Sequence, residues 1–158
     1  MDVFTVCFFG HRAIEDAVAT DRRLDRLLRK LLLEKTFVEF LVGRDGDFDL
    51  LAASAVRRAK KAVRDDNSAL VWVLPYATAD LERNYQSYSA YYDEIEICEN
   101  DCHYKAAFQK RNRAMIDRAD LVICYLNRDK GGTYQTVRYA EKCGKAIINV
   151  SEESDNQR

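Results

Sequence analysis

Short apolar runs alternate with longer stretches in which apolar residues recur every three or four positions. VFTVCFFG (3–10) is rich in valine and phenylalanine and ends at glycine, which predicts a buried strand. Leu24, Leu27, Leu28, Leu31 and Leu32 then mark one face of a helix, with Arg22, Arg23, Arg26, Arg29 and Lys30 around it as a solvated surface. TFVEFLVG (36–43) predicts a second strand. Ala52, Ala55, Val56, Ala59, Ala62 and Val63 predict a second helix with a narrow face of small residues, its start capped by Asp47 or Asp49. ALVWVLPY (69–76) is a third strand, apolar throughout and closed by the only proline, so both of its faces should be covered. Residues 77–92 are polar and tyrosine-rich, without a clean period. DEIEIC (93–98) predicts a short strand; Tyr104, Phe108, Arg111, Met115 and Ala119 mark one helical face; LVICYLN (121–127) is another core strand. Thr133 to Cys143 read as a helix stopped by Gly144, KAIINV (145–150) as the last strand, and 151–158 as a flexible C-terminal tail.

Strands and helices in alternation predict a single α/β domain over residues 1–150. Its doubly wound, mainly parallel sheet should have about five to six strands, with helices on both faces. In such sheets ligands gather beyond the carboxyl ends of the strands, where the strand order reverses. The segments that follow each strand are therefore the place to look for chemistry.

Composition narrows the function classes. A chain of 158 residues that is 47% hydrophobic and 32% charged has the balance of an ordinary globular domain. A formal net charge of -1 gives no bulk attraction to nucleic acid or to an acidic membrane, so neither is expected as a partner. No apolar run approaches a membrane span. MDVFTVCFFGHR carries no basic segment before its apolar residues, so no secretory leader is expected and a cytoplasmic location is. The cysteines Cys7, Cys98, Cys102, Cys124 and Cys143 are odd in number and fall mostly in apolar runs, as reduced core thiols do. In CENDCH, Cys98, Cys102 and His103 fall close together, but zinc requires a fourth ligand and the only other histidine is His11. No metal and no cofactor is expected.

Three strand ends carry similar loops: Gly10, His11 and Arg12; Gly43, Arg44, Asp45 and Gly46; Gly131, Gly132 and Thr133. Glycine lets a ligand approach backbone N–H groups, a helix start offers unpaired donors, and arginine adds a permanently charged fork suited to phosphate. Each glycine is equally explained as turn chemistry, and His11 as a structural histidine. Arg111 is the sharper signal, because it falls on the apolar stripe of its helix with Asn112 beside it. A charge there must pair internally or reach a ligand.

FFGHR, YYDEIEI, KRNRAMIDRADLVI and GGTYQTVRYAEKCGKAIINV, with the second loop's GR, resemble the SLOG superfamily over nearly the whole chain, and most closely its small single-domain bacterial and phage-borne members. The resemblance implies a Rossmann-like fold that binds nucleotides or nucleotide-derived molecules at glycine-rich loops, and a homodimer. It implies that Gly131, Gly132 and Thr133 form the phosphate loop, that Arg111 and Asn112 face the ligand, and that Gly10, His11 and Arg12 are the first loop, with Gly43 and Arg44 from the second. The expected function is a sensor or sequestering module for such a ligand. One alternative is N-glycoside hydrolysis of nucleoside monophosphates, as in the lonely-guy enzymes of similar fold; another is an interaction protein with a vestigial site. Those hydrolases carry a catalytic glutamate three residues after the threonine, where this chain has Thr136, so a carboxylate would have to come from Asp45, Asp49 or Glu94 instead. Tyr76, Tyr85, Tyr88, Tyr91, Tyr92 and Tyr125 are candidate base stackers, and Tyr85–Tyr92 is also a candidate dimer surface.

Overall fold

A strand that is apolar at successive positions serves two layers at once when both of its faces are covered, and that is how this sheet is used. The computed structural model describes residues 2–99 and 103–152. Its elements are β1 (Val3–Gly10), α1 (Ala17–Glu34), β2 (Phe37–Val42), α2 (Asp47–Ala62), β3 (Ser68–Leu74), α3 (Ala79–Arg83), α4 (Tyr85–Tyr91), β4 (Glu94–Ile97), α5 (Tyr104–Arg118), β5 (Leu121–Tyr125), α6 (Gly132–Lys142) and β6 (Ala146–Asn149). The strands form one six-stranded sheet in the order β4-β3-β2-β1-β5-β6, every pairing parallel. This is a doubly wound, Rossmann-like α/β fold.

Along β1 the residues alternate between two cores. Val6 and Phe8 join Leu24, Leu28 and Leu32 of α1 and Ala52 and Val56 of α2, whereas Cys7 and Phe9 join Met115 and Ile116 of α5 and Ala140 of α6. The alanine stripe of α2 is fully buried at Ala52, Ala55 and Ala59, which lets that helix lie close to the sheet. Burial pushes the Cys124 thiol up to about 12 and the Cys7 thiol higher still, so both are inert apolar residues of the core.

Some expectations are corrected. Neither Asp47 nor Asp49 caps α2: Gly46 precedes the helix, and both aspartates lie in its first turn, where the helix dipole favours negative charge. Residues 77–92, which show no clean period, form two short helices. They hold α3, whose first turn is capped by the Thr78 hydroxyl accepting from the Leu81 N–H at 3.1 Å, and α4. The missing period has a cause, since α4 is anchored by aromatic contact: the rings of Tyr88 and Tyr92 lie 4.9 and 5.2 Å from that of Trp72. Tyr88, Tyr91 and Tyr92 are thereby engaged within the chain, and Tyr85 remains exposed. The expected tail lies outside the described residues from 153 onward.

At the end of β1, Gly10 is required by a neighbour. A methyl group there would come within 2.3 to 2.5 Å of the Phe48 side chain on α2. Gly10→Ala is expected to destabilise the fold by about 1–3 kcal/mol through overpacking, read as a lower midpoint in urea unfolding with an unchanged slope.

Candidate functional site

The strand order reverses beside β1, since the chain leaves β1 toward β2 on one side and leaves β5 toward β6 on the other. The loops after β1, β2 and β5 meet at that parting. The Asp47 N–H donates to the Arg12 carbonyl at 2.8 Å, and the Asn127 N–H donates to His11 Nε2 at 3.2 Å. Between these loops lies a cavity of about 370 Å³, within the size range of small-molecule sites. Gly10, His11, Arg12, Gly43, Arg111, Asn112, Gly132 and Thr133 all line it, as do Asp45, Asp49, Arg128 and Thr136.

Arg111 forms the floor. Its side chain is 3% exposed. Nη1 donates to the Val73 carbonyl at 3.0 Å, Nη2 to Asp45 Oδ2 at 2.5 Å and Nε to Asn112 Oδ1 at 2.9 Å. Asn112 Nδ2 in turn donates to Thr136 Oγ1 at 3.2 Å, so a polar chain runs from the loop after β2 to the first turns of α6. Of the two options open to a charge on that helix stripe, Arg111 takes the internal pair while still lining the cavity.

Beside it stands a pair of carboxylates. Asp49, 9% exposed, accepts the Asp45 N–H at Oδ2 across 2.9 Å. Burial pushes the Asp49 carboxyl up to about 7; the Asp45 N–H bond and Arg111 oppose that rise, and the charge of Asp45 adds to it. Gly43 is demanded by this cluster: a methyl group there would sit 3.0 Å from Asp45 Oδ2, 3.1 Å from Arg111 Nη1 and 3.1 Å from Asp49 Oδ2. Glu94, the third candidate carboxylate, lies on the edge strand β4 and is not part of the wall.

The opposite wall is made of donors. Gly131, whose φ of 96° suits glycine, immediately precedes helix α6, and no side chain caps the helix. A methyl group on Gly131 or Gly132 would meet no atom within 4 Å, so this helix start is open. Arg12 and Arg128 are exposed at the cavity, and neither guanidinium has a hydrogen-bond or ion-pair partner among the described residues. His11 is 3% exposed; with Nε2 accepting from Asn127, its neutral ring carries the proton on Nδ1. Burial and then the charge of Arg128 lower its pKa, which favours that neutral form.

Not every sequence candidate arrives. Arg44 turns away, donating to the Tyr92 hydroxyl at 3.1 Å with its guanidinium 5.1 Å over the Tyr88 ring. Gly131 shapes the start of α6 without lining the cavity. None of the six candidate tyrosines lines it; Phe8, Phe9 and Phe108 supply the aromatic surface. Tyr125 is buried edge-on to His11 at 6.0 Å. Arg128 was missed, and its only signal in the sequence was a charge in the loop ahead of Gly131. A second groove of about 390 Å³ adjoins the cavity between α5 and α6, shares Arg12, Phe108 and Asn112 with it, and adds Lys105 and Arg113. For zinc, Cys102 lies outside the described residues; among the described residues no group of three His, Cys, Asp or Glu could hold a metal ion. No helix among them is long and apolar enough to cross a membrane.

No protein-family model and no curated protein matches the chain. Among solved structures it is similar to DNA processing protein A (DprA) from Streptococcus pneumoniae, with a TM-score of 0.63 at 16% identity over 91% of this chain. The chain spans about half of that protein's length, at 49%. At this identity the likeness is one of fold.

The buried carboxyl generates a pH prediction. Because its folded pKa lies above the ordinary 3.8, Asp49 favours the folded state while protonated, and that contribution is lost as pH rises through about 7. Asp49→Asn, whose side-chain carbonyl can still accept the Asp45 N–H, is expected to gain stability over the natural chain by on the order of 2 kcal/mol more at pH 8 than at pH 5. Urea unfolding at the two pH values measures it.

Proposed function

We propose that this cavity binds a nucleotide or nucleotide-derived phosphate ligand, and that the protein is a SLOG-type sensor or sequestering module. The observation that carries the reading is the α6 wall: the uncapped start of an 11-residue helix, with Arg12 and Arg128, which have no partner among the described residues, faces one cavity where the strand order parts. Free amide donors, a favourable dipole and two guanidinium groups match the charge and the acceptor oxygens of a phosphate. The adjoining groove between α5 and α6, with Lys105 and Arg113, leaves room for a ligand larger than a mononucleotide.

Titration calorimetry and thermal melting with AMP, ADP-ribose and cyclic dinucleotides test this. At least one is expected to bind and to raise Tm as its concentration rises. Arg12→Ala should weaken that ligand about tenfold. Gly132→Asp should weaken it at least as much by placing a carboxylate at the helix start, and neither change should lower the stability of the free protein. Absence of binding by the whole panel at millimolar concentration would sink the proposal.

Turnover is the second reading, and one observation favours it. The cavity contains a carboxyl that titrates at about 7, within reach of general acid–base chemistry at neutral pH, in a chain with Thr136 where the related hydrolases carry glutamate. If the ligand's N-glycosidic bond is hydrolysed, chromatography will detect free base. Asp49→Asn would then lower the rate by a factor on the order of 100 or more. Stable nucleotide after prolonged incubation leaves the module a binder.

A further inference from the structure

Two further depressions adjoin the cavity, and they differ in charge. The smaller, of about 220 Å³, shares Asp45, Phe108 and Arg111 with it and adds Arg44 and Asp80. Both of its guanidinium groups are engaged within the chain, since Arg111 pairs with Asp45 and Arg44 donates to the Tyr92 hydroxyl. Two carboxylates line it, and they repel an anionic group.

The larger is the groove of about 390 Å³ between α5 and α6, which shares Arg12, Phe108, Asn112, Gly132 and Thr136 with the cavity. No aspartate or glutamate lines it, whereas Arg12, Lys105 and Arg113 do. None of these three has an ion-pair partner among the described residues. Arg113 is positioned without being neutralised. Its guanidinium lies 5.1 Å over the ring of Tyr139, and the Tyr139 hydroxyl donates to Asp117 Oδ1 at 2.7 Å, which ties that ring to α5. Lys105 and Arg113 stand about 12 Å apart along the axis of α5, so a group lying in the groove falls between them. Like charges that share a groove repel one another, and an anionic occupant removes that cost. Tyr104, Phe108 and Tyr139 add aromatic surface, and Gln109 and Gln135 add amides, which suits a nucleoside as well as its phosphate.

We propose that the α5–α6 groove takes the second nucleotide unit of a dinucleotide whose first phosphate sits on the α6 wall. Lys105 and Arg113 hold the second phosphate between them, and Arg12 stands at the junction. This rests on the phosphate reading given above and adds to it the class of ligand and the direction in which that ligand extends.

Matched pairs of probes give the test. The full chain is titrated calorimetrically at 0.15 M salt with AMP, GMP and the linear dinucleotides pApA and pGpG, each of which adds one internal phosphodiester to a 5′-phosphate. For at least one base the dinucleotide is expected to bind about tenfold or more tighter than its mononucleotide. Lys105→Ala and Arg113→Ala should each cut that advantage by about threefold or more. Both residues are exposed, so the fold is retained, and neither lines the first cavity, so the mononucleotide's affinity should hold within about twofold under screening by salt. Lys61→Ala removes an exposed cation from α2, on the other face of the sheet, and should leave the advantage unchanged. A dinucleotide that binds no tighter than its mononucleotide overturns the assignment. So does an advantage that survives both alanine variants, or one that Lys61→Ala reduces as much as they do. In each case the phosphate reading stands if a mononucleotide still binds. Failure of all four probes also overturns the assignment, and ADP-ribose then decides separately whether the phosphate reading stands.

Discussion

A guanidinium group that is 3% exposed cannot remain unpaired, and the way Arg111 is satisfied organises the end of the sheet. Its partners come from separate parts of the chain: the Val73 carbonyl of β3, Asp45 after β2, and Asn112, which reaches Thr136 on α6. The connection from β4 to β5 makes this possible. β4 is one edge of the sheet and β5 lies beyond β1, so α5 crosses the opposite face from α1 and α2 and delivers Arg111 beneath the ends of the central strands. Asp45 is 35% exposed while Arg111 is buried, so removing the carboxylate would leave the guanidinium with only the Val73 and Asn112 oxygens to satisfy it. Asp45 is thereby tied to Arg111, and its backbone N–H is tied to Asp49, so the floor of the cavity is cross-linked by hydrogen bonds within the chain.

Glycine has two meanings around this site. Gly10, Gly43 and Gly46 are small because the protein itself fills the space: Phe48 against the first, the Asp45–Arg111–Asp49 cluster against the second, and the Arg12 backbone 2.5 Å from a methyl group on the third. Gly131 and Gly132 face nothing within 4 Å. Tight packing explains the first three without reference to a ligand. The last two leave the space that a ligand at the helix start needs.

The elements were legible in the sequence because short continuous apolar runs mark β1, β2, β3 and β5, and period 3.6 persists through α1 and α2. Buried Arg111 was legible as well, as a charge on an apolar stripe. What escaped was set by contacts distant in sequence. Helices α3 and α4 are short and held by Trp72, so their residues follow no helical stripe of their own. Arg44 sits between two candidate residues, and its direction is set by the tyrosines of α4, which local spacing cannot reveal. Asp49 looked like a cap; its burial against Arg111 and Asp45 emerges only once α5 has crossed the sheet.

Trp72 is the chain's one tryptophan, and its position gives it an optical use. The indole is 6% exposed, packs on Tyr92 at 5.2 Å, and shares a small depression with Arg44 and Asp45. Arg44 also bonds the Tyr92 hydroxyl, so the bend after β2 and the lone indole are joined by a short mechanical linkage. Tryptophan fluorescence, excited where the nine tyrosines do not absorb, therefore reports from a single known place, and a rearrangement of that bend would register as a colour change without any dye.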